Sequence, residues 1–123
     1  MSVDLMQPPN DEAVAKAASR FAEIVRARYG TALRGVFIFG SRARGDSRPF
    51  SDVDLAIVVD DAVDTSRETF PLSGHAYDVL VETGAEVQPW VFHADEWEHP
   101  ERSPSPALMR SAKEDARAVW VAR

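Results

Sequence analysis

The 123-residue chain has no cysteine. Neither a disulfide framework nor a thiolate metal site is available to it, and a cytoplasmic, reducing compartment suits it. It also lacks an apolar run long enough to span a bilayer, and its first residues show no basic-then-apolar leader, so a membrane is not expected as a partner. Positive charge is in the minority. Fourteen Lys and Arg against 20 Asp and Glu leave a formal net charge of −6, which makes long nucleic acid a poor partner. The histidines, His75, His93 and His99, share no zinc-ligand spacing. What is present is ordinary globular composition, 45% hydrophobic and 28% charged, and the length suits one domain without a second substrate-binding lobe.

Residues 1–9 read as a flexible N-terminal arm, and residues 10–123 as a single domain. Asn10 is a helix N-cap followed by Asp11 and Glu12, which suit the positive end of the helix dipole. Val14, Ala17, Ala18, Phe21, Ile24 and Val25 recur at helical spacing up to a stop at Gly30. Val36–Phe39 is a short apolar run expected to form a strand covered on both faces, and Val53–Val59 is a second buried strand. A helix is expected over 66–83, with Pro71 in or just ahead of its first turn and Gly84 at its end. Val87–Phe92 reads as a third strand that Pro89 places at an edge or a bulge. A single turn at 94–98, a proline-serine loop at 100–106, a helix at 107–116 and a short strand at 118–121 complete the chain. The order predicts an α+β domain, α/β-like in sequence, with a small mixed sheet flanked by helices.

The chemistry concentrates between the first two strands. Gly40 directly follows the first strand, so the chain can turn sharply and a phosphate can approach the backbone. Ser41 offers a hydroxyl and an N–H at a helix start, where anions are favoured. Arg42 and Arg44 add positive charge for phosphate contact. Asp52 and Asp54 lie two apart at the start of the second strand, so their carboxylates share a face while Val53 and Leu55 point into the core. Such a pair repels itself unless a cation intervenes, and hard oxygen ligands select Mg²⁺ or Mn²⁺. A phosphate cradle beside a carboxylate clamp implies metal-assisted chemistry at a nucleotide's phosphates.

Gly40 and Ser41, ten intervening residues, then Asp52, Val53 and Asp54 resemble the signature of the DNA polymerase β-like nucleotidyltransferase superfamily. Within it the chain is similar to the minimal nucleotidyltransferases, small domains often encoded beside a helical HEPN protein. The similarity continues through 76–84, 87–92 and 95–97 and covers about residues 10–120. It implies the nucleotidyltransferase fold, with Asp52 and Asp54 as catalytic metal ligands and Gly40 and Ser41 holding the terminal phosphates of ATP or another nucleoside triphosphate. The implied reaction passes a nucleoside monophosphate, AMP from ATP, to a hydroxyl of a protein or small molecule.

The chain departs from the pattern at one position. The superfamily's third carboxylate falls on the strand at 87–92, where the register of the resemblance puts Gln88. Glutamine brings no negative charge and cannot serve as a base. Asp78 is expected to be a solvent-facing helix residue, and Glu86 is expected on the face opposite Gln88, so neither replaces the missing acid. A second reading follows, of a catalytically weakened nucleotide-binding module that acts as the antitoxin-like partner of a HEPN protein. Trp90, Phe92, Trp97 and Trp120 are many large aromatics for this length; they suit core packing or, around Trp97 and the proline loop, a partner surface. Self-association is left open.

Overall fold

A computed structural model describes residues 3–123 of the chain. Residues 3–10 hold no helix or strand, and Val3 lies against Gly84. Residues 1 and 2, the start of the expected arm, lie outside the described residues. Helix α1 spans Asp11–Tyr29, and the Asn10 side chain accepts from the Ala13 N–H at 2.8 Å. Its stop is built as expected, with Gly30 at φ 57°. A short 3₁₀ turn, Gly30–Ala32, leads into strand β1, Leu33–Phe39. Helix α2, Ser41–Arg44, is a single turn closed by Gly45 in the left-handed region. Strand β2, Val53–Val59, is followed by helix α3, Thr69–Thr83, and strand β3, Val87–His93. Helix α4, Ala94–Glu98, a 3₁₀ turn at Pro100–Arg102, helix α5, Pro106–Asp115, and strand β4, Arg117–Val121, end the chain.

The four strands form one mixed sheet in the order β3-β2-β1-β4. β1 pairs antiparallel with both β2 and β4, whereas β2 and β3 run parallel, which requires the crossover through α3. β3 is an edge strand, and that position accommodates the proline at Pro89. Two boundaries differ by three residues from the sequence reading, and the others agree to within one. β1 begins three residues early because the ladder to β2 continues through Leu33 opposite Val59, although Arg34 and Gly35 interrupt the apolar run. α3 begins at Thr69 because Asp64 Oδ1 accepts the Ser66 N–H and holds the chain in a turn.

The sheet buries both faces. On one side α1 and α3 cover Val53, Leu55, Ile57 and Val59 of β2, together with Phe21, Val25, Leu72 and Val79. Burying each such side chain contributes roughly 1.5–3 kcal/mol. On the other side Phe39, Ala56, Val58, Phe92, Trp97, Met109 and Ala112 form a second cluster. Trp97 is buried there, stacked between Phe37 at 5.1 Å and Phe92 at 5.9 Å. Of the two readings left for Trp97, core packing is the one its burial bears out. Among the described residues no helix is long and apolar enough to cross a membrane.

Candidate active site

The candidate residues meet at one end of the sheet. β1 leads into Gly40, Asp52 and Asp54 flank Val53 at the start of β2, and Gln88 is the second residue of β3 beside them. Gly40 adopts φ 76°, a conformation open to glycine, and carries the chain from β1 into α2. It is also pressed against β2: a methyl group built on Gly40 would lie 2.6 Å from Asp54 Oδ2. Glycine is therefore required here twice, once for the turn and once for the approach of the carboxylate.

Asp52 is exposed just ahead of β2, and Asp54 is half-buried within it. Burial raises the Asp54 carboxyl above its ordinary range, and the charge of Asp52 adds to that. A hydrogen bond from Trp90 and the charge of Arg44 pull the other way. Across the parallel ladder Gln88 is the rung partner of Asp54, which puts the two on the same face of the sheet. Asp78 is exposed on α3.

The expectation for Glu86 is corrected. Residues two apart in a strand share a face, so Glu86 belongs with Gln88 and not opposite it. The Val53 N–H donates to the Glu86 carbonyl at 2.7 Å, which sets Glu86 level with Asp52. The charge of Asp52, followed by burial, raises the Glu86 carboxyl above its usual range.

The arginines are engaged within the chain. Arg42 donates to the Ser51 carbonyl from Nε and Nη2 at 3.2 and 3.0 Å, to the Pro49 carbonyl at 3.0 Å and to Ser47 Oγ at 3.3 Å. It ties the 45–51 turn down onto α2. Arg44 pairs with Asp46 at 3.1 Å and with the largely buried Asp115 at 2.8 Å, which fastens α2 to the end of α5. Sequence reasoning missed Asp115 and Trp90. The Trp90 Nε1–H donates to Asp54 Oδ1 at 3.2 Å. Its position two residues past Gln88 was the available signal, since it puts the indole on the same face.

The donor set suits a hard divalent ion: two carboxylates side by side, one of them raised by burial and further by the charge of the other. Among the described residues no group of three or more His, Asp or Glu side chains stands close enough to hold a metal unaided. Substrate oxygens and water would have to complete the coordination.

Comparison with known proteins agrees with this geometry. The family model described as a nucleotidyltransferase domain matches residues 18–118. The chain belongs to the nucleotidyltransferase domain family. Three solved structures share its fold. One is a candidate nucleotidyltransferase from Sulfolobus solfataricus, 23% identical, covering 89% of this chain and 85% of that one with a TM-score of 0.54. A second is a toxin-antitoxin with AMP-PNP, 16% identical, covering 85% and 74% with a TM-score of 0.57. A third is the toxin-antitoxin MntA-HpeT carrying two Asp-to-Glu substitutions, 17% identical, covering 84% and 74% with a TM-score of 0.56. Among curated proteins none matches. This nucleotidyltransferase domain therefore has the expected α+β fold, with the signature segment at the open end of its sheet.

Proposed function

We propose that the domain binds a nucleoside triphosphate, ATP in the first instance, with Mg²⁺ or Mn²⁺ at Asp52 and Asp54, and transfers the nucleoside monophosphate to an acceptor hydroxyl. The observation that carries this reading is the closeness of Gly40 to Asp54, with no room for a Cβ between them, which brings the glycine turn and the carboxylate pair into one site. The N–H groups of Ser41 and Arg42 precede the first helical hydrogen bonds, made by Ala43 and Arg44 to the Gly40 carbonyl, and so are the ones a phosphate would meet. A divalent ion held at the pair would neutralise charge on the phosphates as the bond to the leaving diphosphate breaks. Arg42 acts by holding the 45–51 turn, and Arg44 by placing its charge near Asp54. Mg-ATP titrated into the protein should give binding heat that Asp52→Ala removes. No heat, or heat that Asp52→Ala leaves unchanged, would sink the reading.

Gln88 favours a second reading, in which the domain binds nucleotide but transfers it poorly and acts chiefly as the antitoxin of a HEPN protein. Support comes from the neutral side chain paired with Asp54 and from the toxin-antitoxin complexes that share the fold. Incubation with α-labelled ATP and a neighbouring HEPN protein separates the two. Label on the partner supports transfer, and tight unlabelled co-purification supports the antitoxin.

A further inference from the structure

Trp90 pairs with Ala56 across the β2–β3 ladder, so its indole lies on the same face as Asp54. The Nε1–H donates to Asp54 Oδ1 at 3.2 Å, and the ring meets Phe39 edge-on with centroids 6.3 Å apart. On the other flank the Gly40 backbone closes on Oδ2. Both oxygens of Asp54 are thus located by the fold, one by a donor and one by a close backbone approach. Asp52 lies outside the ladder and is exposed.

The nature of the donor matters. An Arg or Lys on Oδ1 would neutralise the carboxylate and compete with a bound cation. An indole N–H carries no formal charge and has no acceptor of its own, so it fixes direction and leaves the negative charge in place. The geometry points to Trp90 as a positioning residue: it holds Oδ1 so that Oδ2 faces the Gly40–Ser41 turn, where a metal-bound triphosphate would lie. This inference rests on the metal-nucleotide reading above.

The test uses the full chain, Mn²⁺ and a non-hydrolysable ATP analogue in equilibrium dialysis, with and without EDTA. Trp90→Phe keeps a ring against Phe39 and deletes the N–H. It should weaken Mn²⁺-dependent nucleotide binding about tenfold, the scale of one hydrogen bond to a charged group. Binding in EDTA should stay within about twofold, because uncharged packing is preserved. Trp90→His restores an N–H and should recover most of the lost affinity. Mn²⁺ should also quench tryptophan emission in the wild type and much less in Trp90→Phe. Equal Mn²⁺-dependent affinity in Trp90→Phe and wild type overturns the positioning role, as does an equal loss with and without metal. Wild type that binds no Mn²⁺-nucleotide overturns this inference and the functional reading together, whereas wild type that binds while Trp90→Phe binds equally well overturns the positioning role alone. Should Trp90→Phe not fold, the quench in the wild type decides, and its absence overturns the role.

Discussion

Val53, Leu55, Ile57 and Val59 point from β2 into the core beneath α1 and α3, whereas Asp54, Ala56 and Val58 point to the opposite face. The first face is apolar along its whole length. The second is apolar only from Ala56 onward, and at its open end it carries a half-buried carboxylate raised by burial and by Asp52. One strand therefore serves stability on one side and a charged, less comfortable site on the other. Alternation keeps the two separate, since a substitution on one face leaves the other in register.

The separation can be broken from the largest effect downward. Ile57→Ala opens a cavity in a fully buried position and should cost about 3 kcal/mol in urea unfolding while leaving nucleotide affinity of the folded fraction unchanged. A parallel loss of affinity would show that the faces are coupled. Gly40→Ala should cost about 2 kcal/mol, from the positive φ and the clash with Asp54, and should abolish metal-dependent nucleotide binding. Asp54→Asn should do the reverse for stability, raising the metal-free Tm by about 3 °C at pH 7 while removing metal binding. The sign follows from linkage. A folded-state pKa above the unfolded one means that the folded protein binds the proton more tightly, so ionised Asp54 penalises the fold at neutral pH. The gain in Asp54→Asn should accordingly shrink as pH falls through the raised carboxylate range; a pH-independent gain would contradict the buried-charge explanation. Gln88→Asp should have the smallest effect on stability, within about 0.5 kcal/mol for an exposed position, and should raise Mn²⁺ affinity about fivefold. An unchanged Mn²⁺ titration would show that Gln88 does not face the pair.

Local signals carried much of this architecture. Asn10, Gly30 and Gly84 bound helices through capping chemistry that depends on near neighbours, and the alternation of β2 announces which side Asp54 takes. The closeness of Gly40 to Asp54 was legible for the same reason, since they lie within one short stretch. Contacts between distant segments were not. Spacing from Gln88 gives the face of Trp90 but not the bond of its N–H to Asp54, 36 positions away, and nothing near Arg44 indicates Asp115, 71 positions away. Arg42 illustrates a subtler limit. Its charge suggested phosphate, but a guanidinium has five donors, and the carbonyls of the following turn claim several of them. For Trp97 composition left core and partner surface both open, because the stacking of Phe37 and Phe92 that buries it comes from two other segments.

The direction of the strands has one more consequence. Every candidate residue sits where β1 ends and where β2 and β3 begin, so the 60–68 connection emerges at the far end of the sheet. That connection is pinned by Arg34 on Asp60 at 2.7 Å, by His93 Nε2 against the Val63 carbonyl at 2.8 Å, and by Arg28 on Glu68 at 2.9 Å. Between Val63 and Glu68 the chain can be lengthened at little closure cost, because each doubling of a loop adds only about 0.6 kcal/mol. Insertions, labels or a grafted recognition segment placed there would alter what the domain meets without moving the turn, the carboxylates or their spacing.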